Sequence, residues 1–372
     1  LLAPGADLAD EAADSGHTIT GDLLADNNFQ RGAFVNGTSG SSTPKQFPAV
    51  VALHEQRLVF GNTVSQPRTL FFSKSSEFED FTPGTADASS MSFELASVAA
   101  NEIRYLQPGR FLQVGTSGGE FVVTSATEGP LTPETTQIVK QGTVGTAKIP
   151  PIGIGNVTLF VQRAKRKIRE FVFDLQSDSY QAPELTLLSE HITEGGIKEM
   201  AYQQEPEDVL WVCLDNGKLI GLTYRREENV IAWHSHSIGG TSSNGSYGSV
   251  HSLACIPGDL DQDDVYMVVE RTINSATKKY VELLADYDFG TSTEDAFFVD
   301  SGLTYSGSSA NSISGLTHLE GQSVAILANG AAHANKTVSS GAISLDVNVT
   351  KAHVGLPYTS TLQTMRLDAG SA

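Results

Sequence analysis

QFPAVVALHEQRLVFGNTVSQPRTLFFSKSSEFEDF, residues 46–81, is the stretch on which the fold turns. An apolar run from Val50 to Leu53 meets a polar break from His54 to Arg57. A second run, Leu58 to Phe60, is followed by Gly61-Asn62, a third run from Thr69 to Phe72, and the aromatic pair Phe78 and Phe81. Short apolar, β-branched and aromatic runs divided by turn residues predict antiparallel strands joined by tight turns.

Working outward, similar units recur near 48–81, 102–125, 150–176, 197–237 and 249–285. The second, EIRYLQPGRFLQVGTSGGEFVVTS, alternates strand runs with a Pro-Gly turn and a Gly118-Gly119 turn. In the fourth, Asp215-Asn216-Gly217 marks a hairpin and Arg225 to Asn229 a polar second turn. Repetition of a small sheet without a Trp-Asp signature predicts an all-β, propeller-like central domain and leaves the blade number open. The expected division is an extended N-terminal arm at 1–45, a propeller-like domain at 46–300, and a small C-terminal antiparallel β module at 301–372. The acidic, then Ser- and Gly-rich stretch at 286–310 reads as a linker. Helical periodicity is nearly absent, with one short helical turn expected from Pro183 to Ile192.

The chain has 372 residues and is 40% hydrophobic, enough for one large or two ordinary domains. No window of 18 apolar residues exists, so no spanning helix is predicted and no membrane insertion of this chain is expected. The opening LLAPGADLADEAADSGH lacks Met and a basic leader region, which points to an internal or processed start within a longer protein. The formal charge is −19, from 43 acidic and 24 basic residues. That balance argues against tight nucleic-acid binding, which rests on Lys and Arg against phosphate, while a negatively lined channel would keep a passing duplex from sticking. Cys213 and Cys255 sit in strand-like runs and read as free thiols, as in a protein made in a reducing cytoplasm.

The series FPAVVALHEQRLVFGNT…PRTLFFSKSSEFEDF, LQPGRFLQVGTSGGEFVV, GPLTP (129–133), VGTAKIPPIGIGNVTLFVQRAKRKIREFVFD, KEMAYQQEPEDVLWVCLDNGKLIGLTYRREENVIAWHSH and GLTHLEGQSVAILANG resembles the podophage tail nozzle family. This family comprises tail tubular protein B-like proteins, related in role to packaged-DNA-stabilisation proteins. The likeness runs from Phe47 to Met365 and lies in the order of the segments. It implies a structural virion protein, assembled in the host bacterial cytoplasm and located in the virion tail. It also implies a homo-oligomer, a hexameric ring that extends and closes the DNA channel, carries genomic DNA without specific binding, and abuts tail adaptor and tail fibre proteins. Members of the family are longer, so the chain is expected to be partial. The family pattern marks strand cores, and no gate residue transfers. The alternative is a receptor- or glycan-binding tail module.

Candidate chemistry is sparse, and no catalytic residue or cofactor is expected. Asp259, Asp261 and Asp263 alternate, and Glu270 falls eleven residues after Asp259, the spacing of a calcium-binding EF loop. Asp264 stands where that loop needs Gly, so a solvated acidic hairpin loop is the other reading. His234-Ser235-His236 puts two imidazoles on one strand face, as metal ligands or as a strand-end polar pair beside Trp233. The basic stretch Gln162 to Arg169 reads as a charged hairpin tip, an intersubunit ion-pair surface or a phosphate contact. Glu120, Glu170, Glu199, Asp215 and Glu282 are carboxylates that a propeller glycosidase could pair, but no spacing singles two of them out.

Overall fold

The computed structural model describes residues 47–64, 66–96, 101–127, 129–258 and 262–364. The expected arm at 1–45 lies outside them. The described residues form an all-β protein whose helical content is two short 3₁₀ turns, Thr293–Asp295 and Thr317–Leu319. The chain divides into two compact units, Leu1–Leu187 and Leu188–Ala372.

The first unit holds three four-stranded antiparallel meanders, each ordered as the chain runs. The opening sheet comprises β1 (Val50–His54), β2 (Arg57–Gly61), β3 (Thr69–Phe72) and β4 (Met91–Glu94). Glu55 and Gln56 form the two-residue turn between β1 and β2, both at positive φ (45° and 61°), which gives the primed turn whose twist suits a hairpin. The second sheet is β5 (Ile103–Gln107), β6 (Leu112–Thr116), β7 (Gly119–Ser125) and β8 (Thr136–Lys140); the third is β9 (Ile152–Ile154), β10 (Val157–Val161), β11 (Ile168–Asp174) and β12 (Ser179–Gln181).

These sheets pack face to face in chain order. Val59, Leu70 and Phe72 of the first meet Ile103, Leu112, Val114 and Phe121 of the second in one apolar core. Tyr105 and Val122 of the second meet Phe160 and Phe171 of the third. All five residues of β10, VTLFV, are buried, Thr158 among them. Each apolar side chain so buried contributes about 1.5–3 kcal/mol by leaving water.

The second unit repeats the plan with β13 (Ile197–Gln203), β14 (Val209–Leu214), β15 (Leu219–Arg225) and β16 (Val230–His236), followed by a three-stranded sheet of β17 (Ser249–Pro257), β18 (Asp263–Ile273) and β19 (Ala276–Leu283). Trp211, Cys213 and Leu219 pack against Val250, Leu253, Val265, Met267 and Val269 between the two. Five sequential meanders packed pairwise within each unit make the fold propeller-like in its sheets. The C-terminal sheet differs: β20 (Asp300–Ser314), β21 (Ser323–Ala328), β22 (Ala331–Thr337) and β23 (Ala342–Leu356) take the order β20-β23-β21-β22 and enclose their own core.

Two local expectations are corrected. Much of the Ser- and Gly-rich linker is the 15-residue strand β20, paired with the equally long β23 across several bulges. It lies at the edge of its sheet and shows both faces to water over most of its length, so its composition is polar while Ile313 still enters the core. Residues 183–192 contain an isolated bridge and turns in place of the expected helical turn.

Candidate functional site

Asp263 and Glu270 do not come together as the calcium spacing predicts. Asp259 and Asp261 lie outside the described residues. Asp263 and Glu270 are both on β18, seven residues apart, or about 23 Å at the rise of a strand, and cannot close around one ion. The Asp263 carboxylate accepts the backbone N–H groups of Gln204 and Glu205 at 2.8 and 3.1 Å. Glu270 accepts from the Ser243 amide and hydroxyl and faces His251 Nε2 at 3.2 Å. The Ser243 hydroxyl holds its carboxyl below the usual carboxylate range. Among the described residues no group of three His, Cys, Asp or Glu side chains converges as a metal site.

The histidines do come together, beside a different tryptophan from the one expected. Trp211, Gly221 and His234 lie in register across β14, β15 and β16. His234 Nδ1 and His236 Nε2 are 2.7 Å apart, sharing a hydrogen bond, and their rings lie 5.9 and 4.9 Å from that of Trp211. Gly221 makes room: a Cβ there would stand 2.1 Å from His234 Cε1. Burial lowers both imidazoles, and the neighbouring His234 pushes His236 further down, to about 4. Both rings are therefore neutral at pH 7, which suits one donating to the other. Cross-strand register, invisible without the hairpin lengths, was the missing signal.

The basic stretch forms the hairpin between β10 and β11, with Lys165 at φ 60° in its tip. Part of its charge turns inward: Lys167 reaches Glu184 at 3.0 Å, and Arg169 donates to Gln162 Oε1 and to the Ala182 carbonyl at 2.9 and 2.7 Å.

Glu120, Glu199 and Glu282 of the five carboxylates hold backbone or cations. Glu120 is buried and accepts from Gly145 N and Val144 N at 2.8 and 3.3 Å. Desolvation pushes its carboxyl up, against the pull of those amides and of Arg169. The Tyr105 hydroxyl, buried without a hydrogen-bond partner among the described residues, is raised by burial and by the charge of Glu120. Glu199 accepts from Leu253 N at 3.1 Å. Glu282 binds Arg271. Glu170 is buried on β11 and Asp215 lies in the hairpin turn after β14.

In the second unit Glu282 belongs to a polar group whose other members, Arg271 and Asp300, were not singled out from sequence. Arg271 on β18 is fully buried. Its Nε donates to the Gly239 carbonyl at 2.9 Å, Nη1 binds Glu282 of β19, and Nη2 has no hydrogen-bond partner among the described residues. Asp300, at the start of β20, accepts from the Gly239 amide. Burial raises the Asp300 carboxyl, Arg271 draws it down and Glu282 raises it, so the three groups sense one another. Gly240 and Gly248 close over the guanidinium; a Cβ on either would lie 3.3 Å from an Arg271 atom. This knot joins the three-stranded sheet to the first strand of the C-terminal sheet. Cys213 and Cys255 are free thiols, both pushed by burial up to about 12. The Cys213 thiol donates to the Val250 carbonyl at 3.1 Å.

No protein-family model matches the chain, and no curated protein matches it. Among solved structures, a Lactobacillus plantarum protein aligns over 83% of this chain and 89% of its own at 10% identity and a TM-score of 0.41. An auxiliary nutrient binding protein of Bacteroides thetaiotaomicron aligns over 64% of this chain at 8% identity and a TM-score of 0.34, and this chain spans 57% of it. The Neurospora crassa Pan2 WD40 domain gives 10% identity, a TM-score of 0.34 and coverage of 64% of this chain and 62% of its own. Likenesses this distant say nothing of function.

Proposed function

We propose that this chain is a structural subunit of a short-tailed phage tail, one wedge of the nozzle ring that extends and closes the DNA channel. The observation that carries the reading is the packing of successive meanders face to face within each unit, with their loops tied down by buried charge. Packing of this kind stiffens each unit, as a ring under the pressure of packaged DNA requires. The segments that resemble the nozzle family supply the strands of those sheets: VVALH and RLVFG become β1 and β2, and VLWVCL becomes β14. Cyclic symmetry would close the wedges around a pore. A net charge of −19 would keep DNA mobile there.

The test is imaging. Full chain at assembly concentration is examined by negative stain and mass photometry, and the intact particle by cryo-electron microscopy. A ring of six copies at the distal tail is expected. A chain that stays monomeric at high concentration and turns over a host polysaccharide would replace this reading with that of an enzyme.

A further inference from the structure

The fifth sheet stops one strand short. In each of the four preceding sheets the third strand pairs with a fourth and is mostly buried: all four residues of β3 and five of the seven of β7, for example, are buried. At the same position β19 is exposed at six of its eight residues and, among the described residues, pairs only with β18. Its outer edge presents unpaired backbone groups, the template on which an extended segment adds as a strand.

The sheet face beside that edge is apolar as well. Leu283 and Val281 lie opposite Tyr266 and Val268, and Ala254 lies opposite Tyr266 on the other side. Val281 is 75% exposed and Leu283 50%, values that belong to a face awaiting cover. Next along the edge come Lys279 and Lys278, both exposed.

We infer that β19 receives a fourth strand from residues 1–46 of a second copy of this chain, an inference that rests on the ring reading for its choice of donor. The charges favour this occupant. Pairing β19 with β19 of another copy in the antiparallel sense would set lysines against lysines. Residues 1–46 carry six carboxylates against Arg31 and Lys45. Within them Thr18-Ile19-Thr20-Gly21-Asp22-Leu23-Leu24 has β-branched residues, an acid for the lysines and leucines for Val281 and Leu283. Extended, 46 residues reach about 150 Å, enough to arrive from a neighbouring copy.

The experiment uses the full chain with Cys255→Ser. One tagged population carries Thr277→Cys, and a second, differently tagged, carries a cysteine at Thr18, Thr20 or Asp22. Mild oxidation of the mixture is expected to give a disulfide between the two tags. Lys278→Glu with Lys279→Glu should cut its yield at least tenfold, and Asp22→Lys with Asp26→Lys should recover it. A chain carrying both cysteines that links only to itself, at any dilution, overturns the assignment of the donor. Absence of any link while six-membered rings are still seen overturns the arm proposal and leaves the ring standing. Absence of both link and ring removes the two together.

Discussion

Replacing Arg271 with Met tests whether the buried knot holds the second unit together. The substitution keeps most of the stem's packing and removes the cation. It leaves Glu282 without its partner, frees the Gly239 carbonyl from its 2.9 Å hydrogen bond, and takes from Asp300 the charge that draws its raised carboxyl down. Breaking a buried pair by deleting one member costs about 3–5 kcal/mol. The Glu282 side chain keeps 17% exposure, so water recovers part of its hydration and the expected loss is near the low end, about 3 kcal/mol. Both tryptophans of the chain, Trp211 and Trp233, lie in the second unit, so tryptophan fluorescence reads its unfolding in urea. With a slope of about 2 kcal/mol per molar, the midpoint should fall by roughly 1.5 M. Adding Glu282→Met should restore most of the loss, since an apolar replacement of the whole pair is often nearly neutral. It also removes the acid that raises Asp300. The coupling across the double-mutant cycle should exceed about 2 kcal/mol. A single variant whose midpoint moves by less than about 0.3 M, or a double variant no more stable than the single, would refute the view that the pair matters as a unit.

Other expectations are more local. Gly115→Ala drives a Cβ to 2.1 Å from the Tyr105 ring and should cost about 1–3 kcal/mol in urea unfolding followed by circular dichroism. Gly155→Ala meets nothing within 4 Å and carries only the strain of φ +57°, about 1 kcal/mol, so a larger loss at Gly155 would contradict the packing. Glu120→Gln keeps an acceptor for the amides of residues 144 and 145 and sheds the charge. A carboxyl raised in the folded state makes the wild type gain stability as pH falls through the raised value toward 4.5, where that gain is complete. The variant should be more stable at pH 8 and lack that gain; a less stable variant at pH 8 would count against it. The histidines act in the opposite sense. A depressed imidazole contributes stability that is full above 6.5 and is lost as pH falls to about 4. Trp211 fluorescence should therefore change near pH 4, and a change centred near 6.5 would mean that His236 is solvated.

The sheets were legible because their strands are short, apolar and bounded by strong turns. Asp215-Asn216-Gly217 and Arg225 to Asn229 stand where the chain reverses, with Gly217 and Asn229 at positive φ. Strand β20 was not legible, since an edge strand with water on both sides needs no apolar alternation and SGLTYSGSSANS makes its ladder with β23. The carboxylates failed for a related reason. Spacing along the chain suggested a shared ion for Asp263 and Glu270, but an extended strand carries residues seven apart far out of reach. Arg271 drew no notice because nothing local marks it: its partners come from Gly239, Glu282 and Asp300, and only the three-dimensional packing unites them.

Arg271 is also one case of a device that recurs without recurring in sequence. Arg57 on β2 donates to the carbonyls of Ser73, Asp87 and Ser89, each at 2.7 Å. Arg104 on β5 donates to Thr146 O at 2.8 Å, and Arg169 on β11 to Ala182 O at 2.7 Å. A loop that crosses a packed sheet brings carbonyls with no ladder partner, and these must find donors. Guanidinium, with five N–H groups in a plane, can serve several at once, which an ammonium on a flexible stem does less well. The arginines stand on the second, first, third and second strands of their sheets, so the physical repeat leaves no period for a sequence comparison to detect. The device bears on the proposed nozzle too. Moving a clamped loop means stripping buried carbonyls of their donors, at about 1–3 kcal/mol for each one left unsatisfied. For Arg57 that means three carbonyls at once. Opening of the proposed channel would then follow the cheaper course and leave the clamped loops within each unit in place.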